Sequence, residues 1–128
     1  MNRLFAVVLV SALGAAAVRA QAPASADAAP TREFKTVNIE VKGEKIWTPS
    51  FFVVKKGEKV KITLVNLASA AHAFAIDGYG VNVSVDNAEK DHVKVVEFTA
   101  DKAGLFRIYC SMHPGHVGGQ LLVLDSYP

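Results

Sequence analysis

The stretch Lys59-Val60-Lys61-Ile62-Thr63-Leu64-Val65-Asn66 decides how the rest of the chain is read. Val60, Ile62 and Leu64 fall on one face, with Lys59, Lys61 and Thr63 on the other. A period of two places successive side chains on opposite sides of a strand with one buried face. Working outward, residues 34–41 repeat the alternation with a slip at Phe34. Further short β-rich segments cover Phe51–Val54, Ala73–Ile76, Val93–Phe98, Leu105–Tyr109 and Leu121–Leu124. Lys56-Gly57-Glu58, Asp77-Gly78, Lys102-Ala103-Gly104 and Pro114-Gly115 punctuate them as turns. After Ala20 no ten-residue stretch carries a helical stripe. Seven or eight short strands predict an all-β domain over residues 33–128, a Greek-key antiparallel β-sandwich.

The first 20 residues follow a different logic. A positive start, Met1 to Arg3, leads into an apolar run from Leu4 to Val18, and Val18-Arg19-Ala20 closes it with small residues. This is the layout of a secretory signal peptide (residues 1–20) cleaved after Ala20, and it predicts a periplasmic or secreted protein. Such a run is short for a hydrocarbon core of roughly 30 Å, and no basic stop-transfer cluster follows, so no membrane anchor is expected after cleavage. Residues 21–32, rich in Ala and Pro, read as a flexible linker.

The chain has 128 residues, with 14 Lys+Arg against 12 Asp+Glu. Arg3 and Arg19 account for the excess, so the sequence beyond Ala20 is about neutral. Neutrality gives no electrostatic case for nucleic acid as a partner. A single Cys excludes an intramolecular disulfide, four-thiolate zinc sites and iron–sulfur cages within one chain. In an exported protein a lone thiol is inert in the core, bridged to another chain, or bound to something.

Chemistry concentrates in Tyr109-Cys110-Ser111-Met112-His113-Pro114-Gly115-His116-Val117-Gly118-Gly119. One thiol and two imidazoles lie within seven residues, between two strands, and a Pro-Gly bend can bring His116 back toward Cys110. His72 follows strand 59–66 across a loop of small residues. Taken singly, Cys110 reads as a core thiol, His113 as a loop residue and His72 as a strand histidine. Together they have the donor set of a copper site, since a soft thiolate with imidazoles suits one-electron exchange. Zinc overlaps in ligand preference. His92 reads as a solvated loop residue, and Met112 as a packing or surface residue pointing away from the metal. Trp47 is expected to fill the core or cover one end of the sandwich. Asn66 is expected to tie its strand end to the ligand loops, and Tyr109 to face the opposite side of its strand from Cys110.

The run Val53-Val54-Lys55-Lys56-Gly57-Glu58-Lys59-Val60, the strand ending at Asn66, His72 and the late Cys–His loop resemble the cupredoxins. A narrower likeness is to the red copper protein nitrosocyanin, carried by Ala73–Val81, Phe98–Gly104, Ile108-Tyr109-Cys110 and His113-Pro114. A fainter one is to the dinuclear copper domains of nitrous oxide reductase and cytochrome oxidase subunit II. The likeness covers residues 53–123. It departs from nitrosocyanin at His72, where that protein has a glutamate, and in a loop two residues shorter, C-x2-H-x2-H. A dinuclear site needs two cysteines in one loop, so here it could arise only across two chains.

The resemblance implies one copper ion per chain, held by His72, Cys110 and His113, with His116 as fourth ligand. It also implies single-electron transfer to an unidentified redox partner protein. Three histidines would make the Cu(II) site tetragonal, red or green rather than strongly blue. The alternative reading is a periplasmic copper carrier or storage protein that delivers copper to an oxidase or another cuproenzyme, with Met112 near the transfer point. No general acid or base lies by the loop, which favours an electron carrier over an enzyme. No helix bears the thiol, which argues against a cysteine hydrolase. The sequence leaves the oligomeric state open.

Overall fold

The computed structural model describes residues 31–127, so the signal peptide and most of the linker read from the sequence lie outside the described residues. Nine strands fill that span: β1 (Thr31–Val41), β2 (Glu44–Thr48), β3 (Phe51–Lys55), β4 (Lys59–Asn66), β5 (His72–Ile76), β6 (Val81–Val85), β7 (Val93–Thr99), β8 (Gly104–Tyr109) and β9 (Gly119–Leu124). They form two sheets, ordered β2-β1-β4-β7 and β3-β9-β8-β5-β6. The alternation in β4 holds to its last residue: Val60, Ile62, Leu64 and Asn66 are buried, and Lys61, Thr63 and Val65 are not. Val60, Ile62 and Leu64 meet Phe52, Phe74, Ile108 and Leu121 of the other sheet in one core.

Two strands have no counterpart in the sequence reading. β2 follows a two-residue turn in which Lys42 (φ 53°) and Gly43 (φ 87°) are both left-handed, the backbone of a tight hairpin matched to strand twist. β6, Val-Asn-Val-Ser-Val, alternates cleanly after the turn at Asp77–Gly80.

The sheets are mixed, which corrects the antiparallel expectation. β1 pairs with β4 in parallel, and β3 with β9 in parallel, while the other pairings are antiparallel. The cause is the crossing between layers. After the β1–β2 hairpin the chain leaves for the second sheet as β3 and returns as β4 running the same way as β1. The sandwich architecture and all-β class stand as expected.

Glu58, read from sequence only as part of a turn, is a buried carboxylate. Its oxygens accept from the Lys55 amide (2.8 Å) and from Arg32 Nη2 (3.0 Å). Burial pushes its pKa up, but these donors outweigh that and hold it below the usual value.

Candidate metal centre

The end of β4, the start of β5, the end of β8 and the loop 110–118 meet at one end of the sandwich. β5 opens with His72, and β5 pairs with β8 so that Ala75 lies opposite Tyr109. The chain therefore leaves β8 at Cys110 beside the strand that begins with His72. Alternation sends Tyr109 outward, where the Arg107 guanidinium lies 4.3 Å from its ring centre.

Cys110 Sγ lies 3.8 Å from His72 Nδ1 and 3.7 Å from His113 Nδ1. One ligand atom from each of these residues falls within 4.8 Å of the others, the only such trio of His, Cys or acidic groups among the described residues. His72 is fully buried, Cys110 is 6% exposed and His113 is half-buried. The amide of Ala73 donates to Cys110 Sγ at 3.2 Å. Burial, then the neighbouring His113, His116 and Lys45, lower the His72 pKa to about 4. The imidazole is thus neutral, the form that binds metals. His72 Nε2 is buried without a hydrogen-bond partner, the one such side-chain atom among the described residues.

His116 stands beside the trio with its ring centre 5.1 Å from that of His72. Its nitrogens face oxygens instead of the sulfur: Nδ1 lies 2.9 Å from the Val117 carbonyl and Nε2 2.9 Å from Asn38 Oδ1. Asn66 fixes that arrangement. Its Nδ2 donates to the carbonyls of Ala70, Val85 and Asp86, and its Oδ1 accepts from the Ala68 amide and Asn38 Nδ2. With its amide nitrogen committed to Asn66, Asn38 can present only oxygen to His116. Burial lowers the His116 pKa, the Val117 carbonyl works the other way, and the neighbouring His113 and Lys45 lower it further.

A family of cupredoxin-like domains matches residues 6–123. This chain belongs to that family. Curated relatives of the cupredoxin include nitrous-oxide reductase from Pseudomonas fluorescens, 32% identical over 79 residues, which covers 56% of this chain and 12% of that protein. Among solved structures, the copper nitrite reductase of Nitrosomonas europaea superposes with a TM-score of 0.63 at 19% identity, over 73% of this chain and 41% of that one. The multicopper oxidase mgLAC (0.60, 17%) and the blue copper oxidase from Nitrosomonas europaea (0.58, 17%) each cover 77% of this chain and 40% of theirs. The cupredoxin thus spans less than half the length of each of these relatives, and at such identities the structures share its fold alone.

The donor set of this cupredoxin fits a metal ion on geometric grounds. Bonds of about 2.0 Å to nitrogen and about 2.3 Å to thiolate sulfur, opened by about 120°, put the two ligand atoms about 3.7 Å apart. Both observed sulfur–nitrogen separations, 3.7 and 3.8 Å, meet that figure.

Other residues take the places their sequence context gave them. Trp47 is buried, donates from Nε1 to the Ala73 carbonyl (3.2 Å) and packs edge-on to Phe74. Met112 is 47% exposed, and its sulfur accepts from the Ser84 hydroxyl at 3.7 Å. His92 turns Nδ1 to the Lys90 carbonyl and has no part in the trio. Sequence reasoning passed over Asn38. Its only signal was polarity at an inward position of β1.

Proposed function

We propose that this cupredoxin holds one copper ion between His72, Cys110 and His113 and passes single electrons to a partner protein outside the cytoplasm. The observation that carries the reading is the equal spacing of two imidazole nitrogens about one buried sulfur. Copper supplies a one-electron couple when bound to such donors. The protein's own groups do the rest. The Ala73 amide stabilises negative charge on Cys110 Sγ. Strand β5 and the end of β8 fix His72 and Cys110, so the ligands need not move when the charge at the centre changes. Burial of His72 and Cys110 keeps water off one side, and half-buried His113 supplies an edge near the surface for electron entry and exit. Location outside the cytoplasm is supported by the pattern of residues 1–20.

Copper delivery is the second reading, and the exposed Met112 thioether beside the ligand loop favours it. One experiment separates the two. Titration of the protein with Cu(II), followed by optical and paramagnetic spectra and then by repeated reduction and reoxidation, is expected to give one bound copper with an intense thiolate absorption that survives cycling. Release to a Cu(I) chelator on each reduction would favour delivery. Absence of thiolate absorption at full loading would overturn the copper reading.

A further inference from the structure

We infer that Asn38 sets the coordination number of the centre by holding His116 off the metal. The inference rests on the copper reading above and adds a determinant outside the ligand loop. His116 is close enough to matter: its ring lies 5.1 Å from His72, and it lines the same cleft as Cys110 and His113, about 380 Å³ in volume. What keeps it from acting as a third imidazole is the direction of its nitrogens. One faces the Val117 carbonyl and the other Asn38 Oδ1, each at 2.9 Å.

The Val117 contact is local to the loop, but the Asn38 contact reaches across the sandwich to β1. It is also set by elements that have no part in binding the ion. Asn38 and Asn66 are directly opposite in the β1–β4 pairing, and both are fully buried. Asn66 donates to three carbonyls and accepts from two donors, so its amide has no alternative orientation that keeps those bonds. Its oxygen takes the Asn38 amide nitrogen, which turns the Asn38 oxygen to His116. A buried polar group gives up such a partner only at the cost of its own desolvation. Asn38 Oδ1 can only accept, so it retains His116 as the tautomer whose Nε2 carries the single imidazole proton, while His72 and His113 are left to face the sulfur. The Val117 amide, bonded to the Lys45 carbonyl at 2.8 Å, fixes the loop backbone on β2, so a change at Asn38 acts on the His116 ring and not on the loop's course.

Removing the Asn38 acceptor should release the ring to bind. A trigonal centre of one thiolate and two imidazoles then becomes a tetragonal one with three imidazoles. The test compares Cu(II)-loaded parent protein with Asn38→Ala, Asn38→Leu, His116→Ala and the double variant Asn38→Ala/His116→Ala. Asn38→Leu keeps the branching of the side chain at Cγ and fills the space that Asn38→Ala would empty, so a second acceptor-deleted protein is available if the smaller residue unfolds.

The parent and His116→Ala are expected to share one spectrum, with intense absorption in the red and a narrow copper hyperfine splitting. Either Asn38 variant is expected to lose most of the red absorption, gain a band in the violet and widen the splitting. The double variant is expected to return to the parent spectrum, an outcome that loss of stability alone would not produce. A parent spectrum altered by His116→Ala would overturn the inference, because His116 would already be a ligand. So would Asn38 variants that fold, bind copper and keep the parent spectrum. A parent protein with no thiolate absorption would instead overturn the copper reading beneath it.

Discussion

The amide of Ala73 points at the sulfur of Cys110 from 3.2 Å, so the residue that follows the first ligand on β5 also steadies the thiolate at the end of β8. Two residues 37 positions apart in the chain are therefore joined at the sulfur, through backbone as well as side chain. A serine at 110 can take up the amide but offers a hard oxygen in place of a soft sulfur.

Cys110→Ser is accordingly expected to fold and to lose all thiolate absorption. Copper affinity should fall by more than about a hundredfold, since even the outer partners of metal ligands account for about 10–100-fold. Circular dichroism and a competitive chelator titration check both halves.

The metal-free protein should lose stability on mild acidification. Burial holds His72 neutral in the folded state down to about pH 4, whereas the unfolded chain takes up its proton near 6.5. The unfolded state therefore binds more protons across that interval, and stability falls as the pH drops from 6.5 toward 4. Thermal melts across this range should show a shallower slope for His72→Leu. An equal slope would remove His72 as the cause.

Gly119 is a position where no side chain fits. A Cβ there would lie 2.1 Å from the Ser50 carbonyl oxygen, whereas one at Gly115 would meet nothing within 4 Å. Gly119→Ala should cost about 3 kcal/mol, the upper end for forced overpacking, and Gly115→Ala much less. Denaturant melts of the two variants give the comparison.

Trp47 offers an optical probe of the centre. It is the single Trp of the chain, and its ring centre lies 6.4 Å from that of His116. Stepwise Cu(II) addition should quench its fluorescence and level off at one equivalent. A break at two equivalents would contradict a single site.

Much of this was legible in sequence because it depends on local period and residue type. β4 announces itself by alternation, and His72, Cys110 and His113 by their chemistry. The parallel pairings were not legible, since they depend on how the chain crosses between layers and not on any one segment. β2 was hidden behind a turn whose Lys42 carries an uncommon left-handed backbone. The direction of the His116 ring was hidden for a different reason. It is set by Asn38, 78 positions away in the chain, and spacing within the loop cannot report it.

The parallel pairing of β3 with β9 has a kinetic side. β9 lies between β3 and β8 in the five-stranded sheet, and residues 51–55 must wait for residues 120–124 before their ladder can close. Pairings of such long sequence separation are slow to nucleate, because loop entropy is lost before contacts compensate for it. The same strand anchors the far end of the ligand loop. An early intermediate that has only the β4–β7 and β5–β6 ladders would contain His72 but no fixed position for Cys110 or His113. Metal capture should therefore be among the last events of folding, and free copper met earlier would find a loose thiol in place of a formed centre.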